Sequence, residues 1–110
     1  MGGGTLRPTL ASIQANIFTP ICTDCHIAGG PGPIPLDTKE NSFNSLVNAP
    51  SIELLMQRVA PGDPENSYLV WKIQGRPTIV LSRMPPPPKP SLTQEEIDAI
   101  VTWIQRGAPR

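Results

Sequence analysis

Both cysteines and the only histidine of the chain lie in one pentapeptide, CTDCH, at residues 22–26. Two thiols at this spacing suit three kinds of chemistry: a redox-active disulfide, half of a zinc site, or covalent attachment of a haem. Each chemistry needs different partner groups. The choice between them therefore depends on what the rest of the sequence contains.

The sequence argues against zinc and against a redox disulfide, with carboxylates as the groups that could still complete a zinc site. A structural zinc ion needs about four nitrogen or sulfur ligands, and the chain has no second group of cysteines or histidines. A thioredoxin-like disulfide belongs in a βαβ unit, whereas the pattern around this motif is helical and a proline-rich loop follows it. Two structural cysteines without a cofactor remain an alternative, but that reading does not explain why the histidine is adjacent.

The pattern C-x-x-C-H is instead typical of covalent haem attachment. Each thiol adds to one of two vinyl groups on one side of the porphyrin, and the spacing puts both sulfurs on one turn of backbone. His26, the next residue, is then held beneath the iron and supplies an axial nitrogen. We predict that Cys22 and Cys25 attach one haem c and that His26 ligates its iron. The porphyrin also adds buried apolar area to a chain with a thin core.

A methionine is the expected second axial ligand. The chain has no other histidine, so a second imidazole from this chain is excluded. Met84 precedes four prolines, which fix the backbone and limit the unliganded alternatives of the loop. Met56 follows two leucines and suits a place in the apolar core better. We predict Met84 as the ligand, with Met56 or no protein sulfur as the alternatives.

Length and composition predict one small domain with much irregular chain. The 110 residues include 15 prolines and nine glycines. We assign residues 5–110 to a single domain and regard residues 1–4 as an expression or processing scar. The net charge is zero and charged residues make up 16%, which argues against nucleic-acid binding. No apolar run reaches the roughly 18 residues of a membrane-spanning helix.

Apolar periodicity predicts helices at both ends of the chain. The first should cover about residues 9–19 and end at Pro20. The last should begin at a capping box of Thr93 and Glu96, with Leu92 and Ile97 as an apolar staple.

Two shorter helices are expected between the terminal ones. One should lie near residues 41–47, and another should begin at Asp63-Pro64 and end at Gly75. Residues 52–59 fit either a short helix or an irregular apolar stretch. No β pattern of comparable quality is present.

Taken together, these features resemble a small class I cytochrome c, of the monohaem type found free in bacteria or as a module of larger redox proteins. The resemblance covers about residues 9–109, and the matching stretches are IFTPICTDCH, VAPGDPENSYLVWKI, RMPPPP and LTQEEIDAIVTWIQRGAP. It implies an all-α fold in which N- and C-terminal helices cross beside a covalent haem, with long Pro/Gly-rich loops.

The resemblance also implies how the two terminal helices meet. Phe18 corresponds to the family's aromatic residue on the first helix, and Ile100 and Trp103 to the facing positions on the last. The family often has glycine at the crossing, eight residues before the first cysteine. This chain has Gln14 there.

Other haem contacts follow from the same resemblance. A proline carbonyl, best matched by Pro33, should accept a hydrogen bond from the His26 imidazole. Tyr68 and Trp71 correspond to haem-wall or propionate-contact positions, with ordinary core packing as the alternative. Arg58 is a candidate partner for a propionate, with a solvated surface arginine as the alternative.

With His26 and Met84 as ligands the iron would have no open position, which suits outer-sphere electron transfer. We therefore expect a monomeric one-electron carrier, not an enzyme, that meets larger redox proteins transiently in the periplasm or another extracytoplasmic compartment. The compartment is implied by the resemblance. The alternative is a haem enzyme or a gas or redox sensor with an open or displaceable sixth position on the iron.

Overall fold

The first helical region changes its pitch along its length. In a computed structural model of the chain, which describes residues 6–22, 26 and 34–110, helix α1 spans Leu10–Ile13. The Thr9 side chain caps it by accepting a hydrogen bond from the Ser12 N–H. A π-helical segment, Gln14–Cys22, continues directly from α1.

The prediction that Pro20 ends this helix is wrong, because the π-helical segment runs through Pro20 to Cys22. In an α-helix a proline ring clashes with the carbonyl four residues earlier. The wider π-helical turn, which is bonded five residues apart, moves that carbonyl away from the ring. The helical segment therefore continues without a break to Cys22, the first residue of the CTDCH motif.

The second helix, α2, spans Lys39–Leu46, close to the predicted range. The Thr38 side chain caps it by accepting a hydrogen bond from the Asn41 N–H, with 3.0 Å between the heavy atoms. Residues 52–59 take the irregular alternative, without a helix. Isolated bridges join Val47 to Val59 and Pro50 to Gln57 along this stretch.

The third helical region is divided in two. A 3-10 turn, Pro64–Asn66, follows Asp63, and helix α3 then spans Tyr68–Gln74. Asp63 therefore precedes a short turn, and its side chain makes no capping hydrogen bond. Gly75 ends α3 in the left-handed conformation at a φ of +67°. A helix end at this residue was predicted, because glycine adopts that conformation without strain.

The last helix, α4, spans Gln94–Gln105 and has the predicted capping box. Thr93 accepts a hydrogen bond from the Glu96 N–H, and the Glu96 carboxylate accepts one from the Thr93 N–H. Leu92 and Ile97 are both buried. This helix begins where the sequence requires, because a reciprocal side-chain cap satisfies two backbone donors.

Helix α4 packs against both α1 and α3, so the two ends of the chain meet in one core. Its fully buried side chains come mainly from the terminal helical regions: Leu10, Ile13, Ile17, Phe18, Ile100, Trp103 and Ile104. The radius of gyration is 12.7 Å, close to the value of about 13 Å expected for a compact chain of this length.

The described part of the chain contains helices and isolated bridges but no strand, so the all-α prediction is confirmed for those residues. Among them, none of the helices combines the length and the apolarity that crossing a membrane requires.

Candidate functional site

A largely apolar pocket lies between the first helical region, α3, α4 and the loop that carries Met84. Its space measures about 890 Å³, the part open to solvent included. Its wall is mostly aliphatic and aromatic: Ile17, Phe18, Ile34, Leu36, Leu46, Ile52, Leu69, Ile73, Pro85, Leu92 and Ile100. Such a wall favours an apolar ligand.

Three of the four residues predicted to attach the haem or to ligate its iron line this one pocket. They are Cys22 at the end of the π-helical segment, His26 just after it, and Met84 in the proline-rich loop. Cys25 lies outside the described residues. Met56 is half-buried and is not part of the pocket wall. Met84 is therefore the methionine that shares a cavity with the histidine.

Short hydrogen bonds fix His26 at its backbone and at its ring. Its N–H donates to the Cys22 carbonyl at 3.0 Å, and its own carbonyl accepts from the Leu36 N–H at 2.7 Å. The ring atom Nδ1 lies 3.0 Å from the Ile34 carbonyl oxygen. A carbonyl can only accept, so Nδ1 carries the proton and Nε2 is left with a free lone pair.

Among the described residues, the Ile34 carbonyl is the acceptor for the histidine ring. The family resemblance suggested the Pro33 carbonyl, and Pro33 lies outside the described residues. The carbonyl that the structure places against Nδ1 belongs to Ile34. Any residue can supply a backbone carbonyl, so sequence identity is a poor guide to which one does.

Burial favours the uncharged forms of the His26 imidazole and the Cys22 thiol. It lowers the pKa of His26, and the Ile34 hydrogen bond opposes that effect. Burial raises the pKa of the Cys22 thiol from 9.0 to about 11, with the Lys89 ammonium opposing it. A neutral imidazole is the form that binds a metal.

The backbone of Met84 is held by the C-terminal part of α3. The Met84 N–H donates to the Lys72 carbonyl oxygen at 3.0 Å. On either side of the methionine the loop is tied back on itself. The Arg83 guanidinium donates to the carbonyls of Pro85 and Lys89. A thioether is a weak ligand, so its loop must be held at low entropic cost.

Charged side chains form one cluster in the pocket wall, which we call the charged cluster: Glu53, Arg58 and Lys72. The Lys72 ammonium lies 3.2 Å from the Glu53 carboxylate. The Arg58 guanidinium donates to the Ser45 carbonyl at 2.9 Å. Burial lowers the pKa of Arg58 and the Glu53 charge opposes this. Two cations accompany one carboxylate, so this part of the wall favours an anionic group.

Tyr68 connects the charged cluster to the Met84 loop. Its hydroxyl donates to Glu53 at 2.7 Å and accepts from the Val80 N–H at 2.9 Å. The Lys72 ammonium donates to the Val80 carbonyl at 2.7 Å. Tyr68 and Arg58, both predicted as cofactor contacts, therefore do line the pocket.

Trp71, the remaining predicted contact, lies elsewhere and is not part of the pocket wall. Its indole N–H donates to the Glu65 carbonyl at 2.8 Å, and the Arg76 guanidinium lies 5.4 Å from the ring centre. It meets Tyr68 edge-on at 6.5 Å between ring centres. The alternative of ordinary packing on α3 fits Trp71 better.

Sequence reasoning missed Glu53 and Lys72. Lys72 had a usable signal, because it follows Tyr68 by four residues and so shares its face of α3. Glu53 had none, since the stretch around it is irregular and only the fold brings it to α3. Among the residues that the structure describes, no group of three or more histidine, cysteine or acidic side chains is placed to hold a metal ion.

Comparison with known proteins found no matching protein family, no matching curated protein and no matching solved structure. The chemistry of the pocket itself is therefore the basis for assigning a function.

Proposed function

We propose that the protein is a one-electron carrier of the class I cytochrome c type, with one covalent haem c in the described pocket. The observation that carries this proposal is that Cys22, His26 and Met84 line a single apolar pocket, although Met84 is distant from the other two in sequence. The C-x-x-C-H motif at residues 22–26 indicates a haem, which the shape of the pocket alone would not indicate.

The residues of the pocket fit a haem. Cys22 and Cys25 would attach it, and the Nε2 atom of His26 and the sulfur of Met84 would hold its iron. The aliphatic wall would exclude water from the macrocycle. Arg58 and Lys72 would face its carboxylates, because the charged cluster carries an excess of positive charge. When bound, haem supplies a reversible Fe(III)/Fe(II) couple.

The chain's own residues would adapt that couple to electron transfer. A methionine sulfur together with a neutral imidazole favours the ferrous state more than harder ligands do, and so raises the reduction potential. The hydrogen bond from His26 Nδ1 to the Ile34 carbonyl acts in the opposite direction, because it makes the imidazole more basic. Donors and acceptors would be larger redox proteins that bind transiently in an extracytoplasmic compartment.

The first experiment is expression together with haem-attachment machinery, followed by mass spectrometry and absorption spectroscopy. One haem per chain is expected, with the long-wavelength absorption band that marks sulfur ligation of ferric haem. The ferrous protein should not bind CO at neutral pH. Recovery of the bare polypeptide would contradict the proposal, and ready CO binding would favour an enzyme or sensor with an open iron site.

The second experiment compares the two internal methionines. Met84→His should retain the haem and lower the reduction potential, because imidazole is a harder ligand than a thioether. The matched control, Met56→Leu, should retain both the haem and the potential. An equal shift of the potential in Met56→Leu would show that the ligand is assigned wrongly.

A further inference from the structure

Gln14 is a buried polar side chain that the pocket does not use. It lies in the π-helical segment, is 8% exposed, and is absent from the pocket wall. Its amide makes three hydrogen bonds: Nε2 donates to the Leu36 carbonyl at 2.8 Å and to the Thr19 hydroxyl at 3.0 Å, and Oε1 accepts from the Ser42 hydroxyl at 2.6 Å.

These partners leave only one orientation for the amide. The Leu36 carbonyl has no proton to give, so the atom that faces it must be the nitrogen. The oxygen then faces Ser42, which is fully buried in α2 and donates its hydroxyl proton. One side chain thus joins the π-helical segment, the chain at Leu36, and α2. A buried network of this kind is costly to leave incomplete.

The segment that Gln14 holds is the one that holds His26. The N–H of Leu36 donates to the His26 carbonyl, and the carbonyl of Ile34 lies against His26 Nδ1. Leu36 is therefore bound on one side by the Gln14 amide and on the other by the histidine backbone. Two residues earlier, the same segment supplies the acceptor for the ring.

We propose that Gln14 is a positioning residue for His26: by fixing the chain at Leu36, it fixes the Ile34 carbonyl that orients the imidazole. This inference rests on the proposed haem ligation by His26. A well-placed Nδ1–H···O=C bond raises the basicity of the ligating nitrogen and stabilises Fe(III). Gln14 therefore lowers the reduction potential and keeps the imidazole in one rotational setting.

The test compares Gln14→Met with Asn16→Met in the haem-loaded protein. Both replace a helical amide by an apolar side chain, but Asn16 donates to Ser12 within its own helical region. The readouts are the reduction potential and the Nδ1 proton of His26 in NMR spectra of the ferrous protein. Gln14→Met should raise the potential and make this proton exchange faster with solvent. Asn16→Met should change neither.

A change in stability alone would not support the inference. If Gln14→Met retains His26 ligation and leaves both readouts as in the unmodified protein, Gln14 is merely structural and the inference is overturned, while the proposed function stands. If the unmodified chain takes up no haem, both are overturned.

A second variant covers the case in which Gln14→Met does not fold. Ser42→Ala removes the donor that fixes Oε1 and keeps the bond to Leu36. It should therefore shift the potential and the exchange of the Nδ1 proton in the same direction by a smaller amount. Loss of stability with both readouts unchanged would overturn the inference here too.

Discussion

The backbone N–H of Met84 donates to the carbonyl oxygen of Lys72, with 3.0 Å between the two atoms. The same lysine donates its ammonium to the Val80 carbonyl, four residues before the methionine. Lys72 is thus bonded to the Met84 loop at two points, although its side chain is 9% exposed and paired with Glu53. A buried ammonium on α3 helps to determine where the methionine lies.

Lys72→Leu should make the Met84 sulfur easier to displace. The variant keeps an apolar side chain at this position and adds no sulfur to the pocket wall, but it leaves the Val80 carbonyl and Glu53 without the ammonium. With a cost of about 1–3 kcal/mol for such a loss, imidazole should bind to the ferric protein about 5- to 150-fold more tightly. Titration followed by absorption spectroscopy measures this. Lys39→Leu, at an exposed position in α2, is the control, and equal affinities in both variants would refute the prediction.

Arg58→Leu should lower the reduction potential. A cation in the wall of an apolar pocket disfavours the extra positive charge of Fe(III), so its removal favours oxidation. Voltammetry at two ionic strengths measures the effect, which should be larger at low salt if it is electrostatic. Arg106→Leu at an exposed position in α4's C-cap is the control. A potential that rises in Arg58→Leu would contradict this account of the charged cluster.

Trp71→Phe should weaken the fold and leave the redox centre as it is. The substitution removes the hydrogen bond to the Glu65 carbonyl and reduces the aromatic surface on which Arg76 lies. We expect a loss of about 0.5–1.5 kcal/mol in the free energy of unfolding, measured by urea denaturation. The haem spectrum and the potential should not change. A shifted potential would restore the haem contact that the family resemblance assigned to Trp71.

Before haem is attached, the Cys22 thiol should stay protonated well above neutral pH. Burial raises its pKa from 9.0 to about 11 in the folded chain. In the haem-free Cys25→Ser variant, the rate of alkylation by iodoacetamide should rise with a midpoint near 11 in buffer and near 9.0 in urea.

The raised pKa of Cys22 also makes the stability of the folded, haem-free chain depend on pH. Between pH 9.0 and about 11 the unfolded chain loses the thiol proton first. The unfolded state then binds fewer protons than the folded state, so the free energy of unfolding falls as pH rises through this window. Coincident alkylation midpoints in buffer and in urea would show that the thiol is not buried in the haem-free chain.

Local patterns predicted the parts of the fold that local physics decides. The capping box of Thr93 and Glu96 and the left-handed Gly75 were readable because each satisfies backbone groups within a few residues. The path through Pro20 was not, because it depends on a change to π-helical pitch. A proline is a strong local signal, and here the wider turn accommodates it.

The residues of the candidate site also fall into those that the sequence indicated and those that it did not. His26 and Met84 were predictable because their side-chain chemistry is rare in this chain. The Ile34 carbonyl was not, since every residue has such a group and only tertiary structure selects one. Glu53 and the role of Gln14 also emerge only when segments distant in sequence are brought together. The class I cytochrome c identity itself remains a prediction.

The charged cluster also makes one side of the pocket chemically different from the rest. Glu53, Arg58 and Lys72 occupy one part of a wall that is otherwise mainly apolar. A flat molecule with one ionised edge would have to leave that edge unpaired if it entered the other way round, at a cost of several kcal/mol. The charged cluster would therefore select which edge of such a ligand enters this part of the pocket, so a covalent bond to Cys22 would form with the ligand already in that orientation.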